Sequence, residues 1–151
     1  MFISETRMTT MTNKSTRTLA ASVALCLILM LALLLAPEPV AAQQAEVTPL
    51  MSKDLPELPG KEVTMITVVY HPGGSDPIHR HNAHAFVYVL EGSIVMQVKG
   101  GEQVTLTPGQ TFYEGPQDLH IVGRNASSTK PAKFVVILIK DKGAPILTPV
   151  E

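Results

Sequence analysis

Cysteine is nearly missing from this sequence. Cys26 is the single cysteine, and it lies in an apolar run near the N-terminus. The chain beyond that run can therefore form no disulfide and offers no thiolate, so a metal bound there must take nitrogen and oxygen ligands. An excess of charge is missing too, since 12 Lys and Arg stand against 13 Asp and Glu. Because polyanions bind to basic surfaces, the composition predicts no nucleic-acid partner.

The apolar run covers residues 19–36 and follows a polar segment with three basic residues and one acidic residue. A basic segment, an apolar stretch and a small residue such as Ala42 at the end are typical of an export signal. We expect residues 1–42 to be a signal peptide that is cleaved after Ala42. The run is almost long enough to cross a bilayer, so an uncleaved transmembrane anchor is the alternative. Both readings place the remaining chain outside the cytoplasm, in the periplasm or beyond the cell.

The rest of the chain shows the pattern of an all-β protein. Residues 43–61 contain three prolines and little periodicity, which predicts an extended arm or linker. From residue 62 to residue 151 we expect one β-barrel or sandwich domain, because short runs rich in Val, Ile, Thr and Phe alternate with glycine and proline. The predicted strands are residues 62–70, 85–91, 93–99, 103–107, 119–122 and 133–140.

Histidine is concentrated in this domain, which holds all five histidines of the chain. His79 and His81 are two residues apart, so on an extended strand their side chains point to the same face and can bind one ion. Neutral imidazole is a common ligand for transition metals. His71 directly follows a predicted strand and is expected to be a turn residue. His84 and His120 complete the set.

The residues around the histidine pair resemble the first motif of the cupin family. In that motif a glycine, an H-x-H pair, a glutamate and a closing glycine follow one another at fixed spacing. The residues that match are Gly73, His79, His81 and Gly92. A second, longer-spaced stretch is similar to the second cupin motif. Its matching residues are Pro108, Gly109, His120 and Asn125.

The resemblance implies one jelly-roll barrel over residues 62–140, in which His79, His81 and His120 bind one divalent metal: Fe, Ni, Mn, Cu or Zn. The glutamate of the first motif corresponds to Ala85, which cannot bind a metal. His84, one residue earlier, is the candidate replacement. On a regular strand, however, a shift of one residue would turn its side chain outward. Without a carboxylate, the ligand set would be neutral and the ion strongly Lewis acidic.

Glu114 and Asp118 lie in a predicted loop before His120, and we expect both to be solvated charges. The alternative is that one of them forms a hydrogen bond to a metal ligand or acts as a general base.

Three functions remain open, since one fold serves many. The first is a metal-binding domain with a small-molecule pocket. The second is a metal-dependent dioxygenase acting on a small polar or phenolic substrate, and the third is a metal-free binding or dimerisation barrel. The resemblance also implies a homodimer that pairs through exposed strand edges.

Overall fold

The computed structural model describes residues 44–150 of the chain, so the predicted signal or anchor at residues 1–42 lies outside the described residues. Ten strands follow one another: β1 (Glu46–Asp54), β2 (Lys61–Tyr70), β3 (His79–Arg80), β4 (His84–Glu91), β5 (Ile94–Val98), β6 (Val104–Leu106), β7 (Thr111–Glu114), β8 (His120–Asn125), β9 (Ala132–Asp141) and β10 (Thr148–Pro149). Among residues 44–150, no helix is long and apolar enough to cross a membrane.

The strands form two five-stranded antiparallel sheets. The first sheet has the order β1-β2-β9-β4-β7, and the second has the order β10-β3-β8-β5-β6. Side chains alternate between faces along β2, β4 and β9, so that every second residue is buried between the sheets. Across both sheets, the largest fully buried side chains are Tyr70, Ile94, Met96, Leu138, His79 and Val89. The all-β prediction is confirmed, and the core lies between the sheets.

The segment predicted as an arm is a strand of the first sheet. Residues 46–54 form β1, which pairs with β2 from Glu46↔Val69 to Asp54↔Glu62. All nine residues of β1 are exposed, because the strand lies at the edge of the sheet and adds little to the core. The segment is therefore extended, as expected, and its residues 46–54 pair with β2, with one register shift between Pro49 and Met51.

Asn125 fastens the end of β8 to the rest of the barrel. Its buried side-chain amide donates hydrogen bonds to the carbonyl oxygens of Tyr70, His71 and Lys130, at 3.1, 3.0 and 2.8 Å. Its carbonyl oxygen accepts a bond from the backbone N–H of Ser127 at 2.8 Å. The two N–H donors of this amide serve three carbonyls, so two of the carbonyls share one donor, and the amide joins the end of β2 to the loop before β9.

Candidate metal centre

Three strands bring three histidines and one glutamate together inside the barrel. His79 begins β3 and is the direct cross-strand partner of His120, which begins β8. His81 follows β3, and Glu114 ends β7. Each of the four residues offers one ligand atom, and these atoms lie within 4.8 Å of one another. His79, Glu114 and His120 are buried, and His81 is mostly buried.

Backbone carbonyls fix the orientation of all three imidazoles. Nδ1 of His79 lies 2.8 Å from the carbonyl oxygen of Pro77, and Nδ1 of His81 lies 2.7 Å from that of Ile146. For His120 it is Nε2 that lies 2.6 Å from a carbonyl oxygen, that of Val122. A carbonyl can only accept a hydrogen bond, so each of these nitrogens carries a proton. The other ring nitrogen of each neutral imidazole therefore presents a lone pair.

These lone pairs point at one another. Nε2 of His79 and Nε2 of His81 are 3.2 Å apart, and neither has a proton to donate when the ring is neutral. Nδ1 of His120 is buried without any hydrogen-bond partner. Two ligands at about 2.1 Å from one ion, at angles of 90° to 110°, are separated by roughly 3.0 to 3.4 Å. The arrangement fits a shared cation, which would satisfy all three lone pairs.

Glu114 contributes a carboxylate to the same point. Its Oε2 is 3.2 Å from Nδ1 of His120 and 3.6 Å from Nε2 of His81. Burial, followed by the charges of Asp118 and Asp76, raises the pKa of Glu114 to about 8. Burial also lowers the pKa of both His81 and His120 to about 4. At neutral pH these contacts are therefore not ion pairs, because the imidazoles are neutral and the carboxyl holds a proton until a cation displaces it.

The solvated-charge expectation for Glu114 is wrong, and so is the expectation of a site without a carboxylate. Glu114 is the direct cross-strand partner of Ala85, so it supplies a carboxylate to the face on which the motif glutamate would lie. The signal in the sequence was the alternation within β7, where Phe112 and Glu114 face inward. Asp118 accepts a hydrogen bond from the backbone N–H of Gly115 at 2.7 Å and shapes the turn before β8.

His84 does not join this cluster. It begins β4 next to Ala85, whose side chain is buried, and alternation along the strand therefore turns His84 to the outer face. There its Nδ1 lies 2.7 Å from the hydroxyl of Tyr113. His71 also lies apart from the cluster, with Nε2 3.9 Å from a carboxylate oxygen of Glu46. The structure thus groups His79, His81 and His120. His84 faces the opposite side of the sheet and is not placed to bind the same ion.

A small cavity of about 40 Å³ adjoins the four residues. A volume of that size holds a few water-sized groups. Its walls are mainly apolar, with Val87, Met96 and Phe134 among them. One polar pair also lines it: the hydroxyl of Tyr70 donates a hydrogen bond to the carboxylate of Asp76. Burial raises the pKa of both groups of this pair.

Comparisons with known proteins agree with this architecture. Residues 66–138 match the family model described as Cupin domain. No curated protein matches the sequence. Solved structures match at low identity, so they show the fold alone. The DMSP lyase DddQ from Ruegeria pomeroyi DSS-3 is 19% identical, with a TM-score of 0.52, over 58% of this chain and 43% of that chain. The present chain thus spans less than half the length of the lyase.

Two other structures match over more of their length. The polyketide cyclase RemF from Streptomyces resistomycificus is 21% identical, with a TM-score of 0.55, over 77% of each chain. A cupin domain from Bordetella pertussis Tohama I is 23% identical, with a TM-score of 0.53, over 68% of this chain and 99% of that one. The family match, the two sheets and the inward histidines agree that residues 66–138 form a cupin domain.

Proposed function

We propose that this protein binds one divalent transition metal through His79, His81, Glu114 and His120. The observation that carries the proposal is the convergence of three imidazole nitrogens and one carboxylate oxygen within 4.8 Å of one another inside the barrel, with the lone pairs of His79 and His81 facing each other at 3.2 Å. A metal-free binding barrel would leave this buried arrangement uncompensated, and buried polar atoms without partners are costly. The mixed nitrogen and oxygen donor set suits Fe, Ni, Mn, Cu or Zn.

The chain's own residues prepare the site. The carbonyls of Pro77, Ile146 and Val122 hold the three rings in the tautomers that a metal needs, as the outer partners of metal-binding histidines do elsewhere. Glu114 gives up a proton on binding and lowers the net charge of the centre by one. A bound ion would supply Lewis acidity, or one-electron chemistry if it is redox-active.

The second candidate function is that of a metal-dependent dioxygenase acting on a small polar or phenolic substrate, and the small cavity beside the centre favours the polar substrate over a phenolic ring. Four protein ligands leave open positions on an ion that prefers six, and the cavity offers space next to them. Two of the structurally similar proteins, a DMSP lyase and a polyketide cyclase, are named as enzymes of small molecules, which supports a small-molecule ligand here. Binding of a small molecule without turnover is the simpler version of the same proposal.

The test is the metal content of protein purified, without a polyhistidine tag, from cells that express the full chain. We expect plasma mass spectrometry to find about one equivalent of a single transition metal. His79→Ala should reduce this content strongly. His84→Ala, which removes an exposed imidazole on the outer face, is the matched control and should leave it unchanged. No metal in the wild type, even after incubation with each ion, would overturn the proposal.

We further propose that the domain works outside the cytoplasm, on the basis of the basic segment and the apolar run at residues 1–42. N-terminal sequencing of protein recovered from the periplasm should begin at Gln43 if the signal is cleaved. Recovery of the full-length chain in the membrane fraction would instead support the anchor, and recovery in the cytosol would contradict export.

A further inference from the structure

The inward row of side chains on β9 is apolar until its last member. Phe134, Val136 and Leu138 are buried apolar residues, and Lys140, the next inward residue, is only 4% exposed. The burial of an ammonium group is costly, and an apolar residue of similar volume often stabilises a fold as well or better. A buried lysine at this position therefore indicates a role beyond packing.

Lys140 binds two different parts of the chain. It forms an ion pair with Glu62, its direct cross-strand partner on β2. It also donates a hydrogen bond of 2.7 Å to the carbonyl oxygen of Ala144. The oxygen of Glu62 that accepts from Lys140 also accepts a bond of 3.1 Å from the backbone N–H of Gly143. The ion pair thus holds two successive residues of the segment that follows β9.

The bonds that hold this segment are made by charged groups. The hydrogen bond from Lys140, followed by the bond from the backbone of Gly143, lowers the pKa of Glu62, so the carboxylate is ionised at neutral pH. Hydrogen bonds to ionised groups are shorter and stronger than bonds between neutral groups. The ion pair therefore fixes the point at which the chain leaves β9.

The same segment reaches the metal centre two residues later. We call residues 143–150 the closing segment. Ala144 is followed by Pro145, whose ring fixes its own φ and restricts the residue before it. The next residue is Ile146, whose carbonyl oxygen lies 2.7 Å from Nδ1 of His81. The stiff link at Pro145 therefore transmits the position of the Ala144 carbonyl to the carbonyl that orients His81.

The rest of the closing segment covers the cavity beside the metal centre. Ile146 and Leu147 line that cavity. Beyond them, β10 pairs with β3, where Pro149 is the direct partner of His79. The closing segment is therefore part of the wall around the ion as well as the hydrogen-bonding partner of one ligand.

His81 depends on distant residues more than the other two histidine ligands do. The carbonyls that orient His79 and His120 each belong to a residue two positions away. The carbonyl of Ile146 is 65 positions from His81. Local backbone geometry is thus enough to orient two of the rings, whereas the third is oriented only when the closing segment is in place.

We propose that Lys140 is a positioning residue of the metal centre. Through the closing segment it holds the carbonyl of Ile146 against Nδ1 of His81, which keeps the proton on Nδ1 and leaves the lone pair of Nε2 free for the ion. This inference rests on the proposed metal-binding function, but the orientation of His81 can be measured in the metal-free protein. Failures of the two proposals can therefore be told apart.

The position of the proton on His81 is the first readout. The full chain is freed of metal with a chelator, and two-dimensional ¹H–¹⁵N spectra at neutral pH show which imidazole nitrogen carries the proton, with His81→Ala to assign the signal. In the wild type we expect the proton on Nδ1. Lys140→Met keeps an unbranched side chain but removes the ammonium group, and it should give a mixture of the two tautomers. An unchanged tautomer in this variant overturns the proposal.

The second readout is the affinity for Zn²⁺, measured in competition with a chelator. Lys140→Met should bind Zn²⁺ about 10- to 100-fold more weakly, the loss typical when an outer partner of a metal ligand is removed. Lys142→Met is the matched control. The side chain of Lys142 is 61% exposed and pairs with Asp54, which is also exposed, so its removal should change neither the affinity nor the tautomer. Equal affinities of the two variants would contradict the proposal.

A double variant separates positioning from stability. Combining Glu62→Leu with Lys140→Met removes the carboxylate that the single variant leaves without its partner, so the urea midpoint should recover. The Ala144 carbonyl still lacks its donor, and Zn²⁺ binding should stay at least about tenfold weaker. Affinity that recovers together with stability overturns the proposal. If the wild type binds no metal, the proposed function fails, and the tautomer of His81 alone decides this inference.

Discussion

Glu114→Gln should remove one proton from the metal-binding reaction. In the metal-free protein, burial raises the pKa of Glu114 to about 8, with the charges of Asp118 and Asp76 adding to the effect. A metal binds the carboxylate and not the carboxylic acid, so binding below this pH must expel a proton. Glutamine has nearly the same shape and stays neutral, and the substitution therefore isolates the proton from the packing of the side chain.

The size of the effect follows from the pKa. With a pKa of about 8, the carboxyl is roughly 90% protonated at pH 7, so metal binding releases about 0.9 proton from it. Because of this proton release, the association constant for the metal should rise close to tenfold from about pH 6 to pH 7 and level off above pH 8. His81 and His120 add no release in this window, because burial holds the pKa of each at about 4.

Calorimetric titration with Zn²⁺ at pH 7, in two buffers with different heats of ionisation, counts the protons. The wild type should release about 0.9 proton more than Glu114→Gln, and taking the difference cancels protons that come from any other group. The variant should also bind more weakly by at least the 10- to 100-fold that is lost when the outer partners of metal ligands are changed. Equal proton release in both proteins would refute the assignment of Glu114 as a ligand whose pKa is raised.

Three further substitutions follow from the structure. In a Glu114→Ala background, Ala85→Glu should restore the metal content measured by mass spectrometry, because cross-strand partners project to the same face about 5 Å apart; no recovery would contradict this. Gly123→Ala should weaken metal binding at least tenfold in a competition assay with a chelator, since its new methyl group would lie 2.9 Å from Cε1 of His120; unchanged affinity would show that the ring can move. Asn125→Ala should lower the free energy of unfolding in urea by about 3 kcal/mol, because three carbonyls lose their donor; a loss below about 1 kcal/mol would contradict the role of the amide.

Local sequence patterns predicted the all-β class and six of the ten strands, whereas the jelly-roll barrel followed from the resemblance to the cupin family. Alternation over residues 62–70 and 133–140 gave β2 and β9, and the two glycines after Lys99 marked the turn between β5 and β6. The pair His79 and His81 could be placed on one face because strand geometry has a period of two residues. These inferences need only neighbouring residues, so they do not depend on which strands pair.

The position of the carboxylate was missed because residues 111–114 were not predicted as a strand, and because its place opposite Ala85 depends on long-range pairing. Glu114 is 29 positions from Ala85 along the chain, and only the register of β4 against β7 shows that the two are opposite. The same holds for β1, since its pairing with β2 is what distinguishes a strand from an extended linker. His84 is the contrary case, because alternation from Ala85 already favoured its outward orientation.

The two sides of the metal centre differ in polarity. The inward residues of β4 are Ala85, Val87 and Val89, all buried and without a polar group, whereas Asp76 and Tyr70 line the same cavity with a hydrogen-bonded pair. A molecule that reaches the ion is therefore expected to place a hydrocarbon part against β4 and a hydrogen-bonding group toward Asp76. In a cavity of about 40 Å³, both parts must be small, so the arrangement favours compact ligands with one polar end over large hydrophobic ones.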